Sequence, residues 1–375
     1  MYDDFVKDMI KRNETEDIDD TGLSELVFKI WLKNQTEIES DQTELEEVIQ
    51  DAISELGKSK LTEDEDLNQI FFMFGYTTRE DNRLEEVGFK NRLEQHYGLE
   101  FFYMDLFENL SRELGTLVHK IINEKTVMSK TEEVLLYQHI RACSIYSEVT
   151  YLIKGGFGTG ALARFRSLHE IAVITEFIFK KGEEAAESYL DYLPVMQKKD
   201  IEFEENMTGV SIKDEVYDKK LQEKLDEIEK KRGKDFVNTK NFNDYVWAQK
   251  YLPKGVRPTF HQIRNDIERN HGIIPYKIAS NNIHAAPRSL TSSISTKSGK
   301  VSGGASNIGL SLPGTWATFE MLQINSLIFE KINNNGSAGI YDRMYALFTL
   351  KMITKLVELL NENFPDKEEM LLQEE

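Results

Sequence analysis

Apolar residues recur along this chain at three- and four-residue steps, the period of helices that bury one face. Leu23, Leu26, Val27, Ile30 and Trp31 follow Asp20 and Thr21, which can cap a helix start. Leu45, Val48, Ile49, Ala52, Ile53 and Leu56 repeat the pattern, with Gly57 where a C-terminal cap belongs. The period continues over 79–124 through Leu84, Val87, Leu93, Leu106, Leu110, Leu114, Leu117 and Ile121, with a break expected near Gly98 and a boundary at 124–130. Further helices are predicted over 131–154, 161–181, 183–207, 213–231, 259–270, 275–285, 316–333 and 339–363.

Two connecting stretches stand out. Gly155, Gly156, Gly158 and Gly160 resemble a phosphate-cradling loop in composition. A helix rather than a strand precedes them, so a turn between two helices is expected. Residues 286–315 are rich in Ser, Thr and Gly and read as a long loop, a length that commonly goes with mobility or function. The helix over 161–181 differs from the rest because Leu162, Phe165, Leu168, Ile171, Ala172, Val173, Ile174, Phe177 and Ile178 leave it apolar on nearly every side. Such a helix belongs at the centre of a fold.

The pattern predicts an all-α, multi-helix bundle of at least ten helices. An acidic helical N-terminal region over 1–125, a larger bundle over 126–363 and an acidic tail over 364–375 are its expected divisions. Charge supports them: residues 1–75 hold 7 Lys+Arg against 21 Asp+Glu, and residues 358–375 hold 1 against 7. Of the net charge of -19, that leaves the middle of the chain nearly neutral, at +1. Acidic ends oppose broad duplex DNA binding, which depends on Lys and Arg neutralising phosphates. No apolar run approaches the roughly 20 residues of a membrane span, and the opening residues lack the basic flank and apolar stretch of a secretory signal. A cytoplasmic protein without a membrane partner is expected. Cys143 is the single cysteine and reads as a small core residue.

Candidate chemistry gathers in two places. Arg164, Arg166, His169, Glu170 and Glu176 interrupt the apolar central helix, where an unpaired charge is costly. Arg166 and Glu170 are one turn apart, so they are expected to pair in the interior, and truncating Arg166 there would cost about 3 to 5 kcal/mol. Tyr276, Ser280 and His284 fall at four-residue steps beside Asn281, which places two hydroxyls and an imidazole along one helical face. His284 is expected within reach of the Arg166 pair. Arg164, Arg166, His169, Glu170 and His284 are thus the catalytic candidates, and Tyr276, Ser280 and Asn281 the substrate-binding ones.

Metal chemistry finds less support. His169-Glu170 lacks the second histidine of His-Glu-x-x-His, and Glu268-Arg269-Asn270-His271 is the only Glu-x-x-His where a di-iron bundle needs two. Neither a metal nor a cofactor is expected.

Arg166-Ser167-Leu168-His169-Glu170, the Tyr189 to Tyr192 segment after Ala185 and Ala186, Trp247, and Tyr276…Ser280…His284-Ala285 together are similar to the family catalogued as domain of unknown function 5677, over about residues 130–335. The resemblance implies a helical bundle with Arg166, Glu170 and His284 as its characteristic polar positions. Arg164 and His169 also satisfy the Arg-x-x-x-x-His pattern and so resemble the HEPN nucleases, helical dimers that cleave RNA without metal. That resemblance implies an arginine stabilising phosphate charge and an imidazole assisting 2′-hydroxyl attack. Two function classes follow: a binding or regulatory effector in a prokaryotic stress or phage-response setting, or a metal-independent ribonuclease acting through Arg164 and His169. A second copy of the chain and RNA are the partners these readings entail.

Overall fold

The computed structural model describes residues 65–123, 127–209, 215–241, 243–284, 287, 304–333 and 338–374. Among them are ten α-helices, one 3-10 helix and no strand, as the hydrophobic pattern predicts. The helices are α1 (Glu65–Asn123), α2 (Lys130–Lys154), α3 (Gly158–Lys181), α4 (Glu183–Asp191), α5 (Leu193–Thr208), α6 (Glu215–Arg232), α7 (Phe260–Asp266), α8 (Ile273–Ile283), α9 (Ser311–Asn333) and α10 (Ile340–Glu374), with the 3-10 helix at Val246–Tyr251. None of the described helices is long and apolar enough to cross a membrane. The two amphipathic segments expected before residue 57 lie outside the described residues.

Compact units divide between Phe89 and Lys90, inside α1. Helix α1 also runs through Gly98 without the expected break. Its buried stripe of Leu93, Tyr97, Phe101, Met104 and Phe107 keeps the helical period across that glycine, and this outweighs a cost of roughly 1 kcal/mol for one interior Gly. The expected helix over 183–207 is two helices meeting at Tyr192, where Pro194 sits in the first turn of α5. A proline is tolerated there because that N–H has no intrahelical acceptor. The acidic tail is part of α10. Phe364 is fully buried, and Glu368 accepts from Leu310 N at 2.7 Å and from the Ser311 hydroxyl, capping the start of α9.

The apolar-all-round α3 is central, packed by α2, α4, α7, α8 and α9. Two glycine devices hold its neighbours in place. A Cβ on Gly158 would stand 2.2 Å from the Gly309 carbonyl oxygen, so the α2–α3 turn and the strand of chain entering α9 meet through a residue without a side chain. Gly156 accepts from Ser306 N at 2.8 Å in the same turn, and the glycine cluster serves helix packing. At the other end of α2, a Ser129/Glu132 capping box is joined by Glu183 of α4, which accepts from Lys130 N at 2.6 Å and Thr131 N at 3.0 Å. Burial opposes the Glu183 charge, but these backbone donors outweigh it and lower its pKa.

Candidate functional site

The polar positions of α3 differ in burial and in their charged partners, although His169 and Arg166 both meet the Tyr276 ring. His169 points inward and is fully buried. Its Nδ1 lies 2.7 Å from Glu320 Oε1 on α9, also fully buried, and the second Glu320 oxygen receives Arg269 Nη2. Arg269 donates its other terminal nitrogen to Glu176 Oε2 at 2.5 Å, and Lys180 pairs with Glu176 at 2.9 Å. Burial opposes the Glu176 charge, but Lys180 and Arg269 overcome it and hold its carboxyl below the ordinary range. The result is a chain of alternating charge from Lys180 at the surface through Glu176 and Arg269 to Glu320, which His169 meets in the interior.

Local backbone explains how Arg269 reaches that interior. Helix α7 ends at Asp266, Arg269 N returns to Arg264 O at 3.2 Å, and Glu268 takes a positive φ of 58°. Non-glycine residues seldom adopt that conformation. Gly272 then starts α8 at φ 74°, and a Cβ there would lie 2.9 Å from both Glu320 Oε1 and His169 Cε1. Close passage of backbone over the His169–Glu320 bond therefore requires glycine twice over, for conformation and for space.

Arg166 and Glu170 form the second group. They pair at 3.1 Å as expected, but at the edge of the bundle and not in its interior: their side chains keep 26% and 35% of their exposure. Helix α3 is central, yet these two side chains stay partly exposed where they meet Tyr276 of α8. The expected 3 to 5 kcal/mol for losing Arg166 accordingly falls to the scale of a partly exposed pair, about 1 kcal/mol or less.

Tyr276 donates to Glu170 Oε1 at 2.8 Å, and the Arg166 guanidinium carbon stands 5.3 Å from the Tyr276 ring centre. Phe260 stacks on Tyr276 at 5.3 Å. Burial opposes the Arg166 charge, but Tyr276 and Glu170 outweigh it and raise its pKa. Burial, then Glu170, raise the Tyr276 hydroxyl against the pull of Arg166. Tyr245 belongs to the same electrostatic group, pushed up to about 12 by burial and next by Glu170 and Tyr276.

The remaining predicted residues scatter. Arg164 pairs with Glu148 on α2, about 140° around α3 from His169 at 100° per residue. Arg164 and His169 therefore do not share a surface. Ser280 turns its hydroxyl back to Tyr276 O at 2.9 Å, and Asn281 beside it is half-buried. His284 is the exposed, extended C-cap of α8, two turns beyond Tyr276, with no side-chain bond to Arg166 or Glu170 among the described residues. No three His, Cys, Asp or Glu side chains converge as a metal set among the described residues.

Sequence reasoning missed Glu320 and Arg269. Glu320 carried a usable signal, being the only charged residue between Ser311 and Phe329. Arg269 carried none, since the pattern places it near the end of a helix over 259–270 with no sign of a partner. Several residues of the family resemblance have packing roles instead. Ala185 and Ala186 are fully buried, and Trp247 meets Phe177 and Tyr189 edge-on at 5.8 and 4.9 Å.

Neither the curated proteins nor the solved structures hold a match to this chain. Over residues 132–301, however, the chain matches the family model described as Family of unknown function (DUF5677), which meets the resemblance read from its sequence and takes in Arg166, His169, Glu170, Arg269 and Tyr276 but not Glu320.

Proposed function

We propose that this chain is a helical binding or regulatory protein whose recognition surface is the half-open edge formed by Arg166, Glu170, Tyr276 and Tyr245. One observation carries the reading: the charges of α3 divide into a sealed set, His169 with Glu320 and Arg269, and an accessible set built around Arg166. The sealed set joins the Glu320 carboxylate to both Arg269 and His169 and is fully buried, as suits a structural pin. The accessible set offers a guanidinium fork beside an aromatic face, the combination that favours a ligand with a carboxylate or phosphate and a planar group. A regulatory effector in a prokaryotic stress or phage-response setting, able to associate with a second copy of itself, is the biological form of this reading.

The test is a thermal-shift screen of nucleotides, dinucleotides and acidic peptides against the wild type and Arg166→Ala. The reading expects a ligand that raises the wild-type melting temperature and leaves the variant unmoved. Ligands that stabilise both proteins alike would place recognition elsewhere.

A metal-independent ribonuclease is the second reading, favoured by one feature. With Nδ1 on Glu320, His169 Nε2 is buried without a hydrogen-bond partner, the placement that a proton-transferring imidazole needs. Its cost is access, because His169 is fully buried and RNA reaches it only if the packing around it opens. Purified wild type that cleaves RNA, with cleavage lost in a folded His169→Ala variant, would establish it over the first. RNA left intact at high enzyme concentration would remove it.

A further inference from the structure

Helix α10 buries one face in the usual way, with Ala346, Thr349, Ile353, Leu356, Val357 and Leu360 packed inward, largely against α9. Its opposite face should then be polar, and over 355–362 its exposed positions are: Lys355, Glu358, Asn361 and Glu362 lie outside. The first three turns break the rule. Ile340, Tyr341, Met344, Leu347, Phe348 and Met352 all point outward, with Tyr341 exposed to 77% and Phe348 to 60%. Tyr345 beside them stacks on Tyr341 at 6.5 Å and donates to Glu113 of α1 at 3.1 Å, fixing the patch on the bundle. A helix that is apolar on all sides is stable where both faces are covered.

We infer that this face of α10 is the contact by which two copies of the chain associate, packed antiparallel about a two-fold axis near Met344 and Phe348. The inference gives a surface to the self-association included in the proposed function and rests on that part of it. Area is the first argument. The outward side chains offer on the order of 800 Å², about what each partner supplies to a standard interface and above the few hundred Å² that monomers commonly expose. Shape is the second: the patch is a straight strip of about 18 Å on one helix, and a two-fold axis makes such a strip complementary to itself.

Charge selects the direction. In a parallel pair Lys351 and Lys355 would face the same lysines of the second copy. Antiparallel packing sets each Lys351 beside Tyr341 of the other copy, where an ammonium over an aromatic ring is favourable. It also opposes the two helix dipoles.

Sedimentation velocity of the full chain at about 1 to 50 µM, a range that brackets micromolar association, tests the inference. The wild type should sediment as a dimer. Phe348→Glu and Met344→Glu should each give monomers, with circular dichroism and melting temperature matching the wild type apart from any stability that dimerisation itself adds. Phe102→Glu, an equally exposed position on α1, should remain a dimer. A wild type that is monomeric throughout would overturn both this inference and the self-association it rests on. A dimer that survives Phe348→Glu and Met344→Glu would overturn the surface alone.

Discussion

Two arginine–glutamate pairs meet on or beside the same helix and differ in almost everything else. Arg166 and Glu170 are one turn apart on α3, half-open, and share their charges with Tyr276. Arg269 and Glu320 are 51 residues apart, fully buried, and locked to His169 and Glu176. The first pair owes its geometry to the local helix and its energy to a solvent-screened contact. The second owes both to tertiary structure, since the turn at Glu268, the glycine at 272 and helix α9 must all be in place before the charges meet. Proximity in sequence made the weaker pair easy to see, and burial made the stronger one matter.

The largest effect expected from this contrast is on stability. Arg269→Ala leaves Glu320 in the interior with only a histidine to answer it, and should cost about 3 to 5 kcal/mol in denaturant unfolding. A cost near that of a surface pair would mean that water reaches Glu320.

A buried histidine without a carboxylate sharpens the comparison. His139 on α2 contacts Asn325 at 3.0 Å, and Asn325 in turn donates to Ser111 at 2.8 Å. Burial, only partly offset by Asn325, pushes its pKa from 6.5 to about 4. Between those values the unfolded chain binds a proton that the folded chain refuses, so stability is full above pH 6.5 and declines as the pH falls toward 4, by roughly 3 kcal/mol in all. His139→Gln should flatten that part of the stability–pH curve relative to wild type. An unchanged slope would show that the imidazole is charged in the fold.

Gly272→Ala comes next. The left-handed backbone alone should cost about 1 to 2 kcal/mol, and the new methyl presses on His169 and Glu320 besides. Thermal unfolding should show a clear loss, whereas Gly255→Ala, at a similar φ of 84° with nothing within 4 Å, isolates the backbone part. Equal losses in the two variants would mean that the His169–Glu320 bond yields freely.

Most of the bundle was legible because helical periodicity needs only local sequence: α2, α3, α6, α8 and α9 fall close to the segments the pattern marks out. Two kinds of feature were not. Helix ends set by distant contacts escaped, as at residue 364, where an acidic stretch extends α10 because Phe364 is buried and Glu368 caps another helix. Assembly of the site escaped for the same reason. The i, i+4 spacing of Arg166 and Glu170 foretold their pairing, but nothing local told which way that face of α3 turns, and its two side chains stay partly exposed. The same limit applies to His284, whose four-residue step from Ser280 assumed a helix that ends one residue earlier, at Ile283.

The smallest effect in this series is also the most direct test, because it sets the two pairs side by side. Urea unfolding of Arg166→Ala and Arg269→Ala, measured at pH 7 against the wild type, should give about 1 kcal/mol or less for the first and at least roughly 2 kcal/mol more for the second. A loss for Arg166→Ala equal to or greater than that for Arg269→Ala would contradict the division of α3 into a sealed structural interior and an open recognition edge.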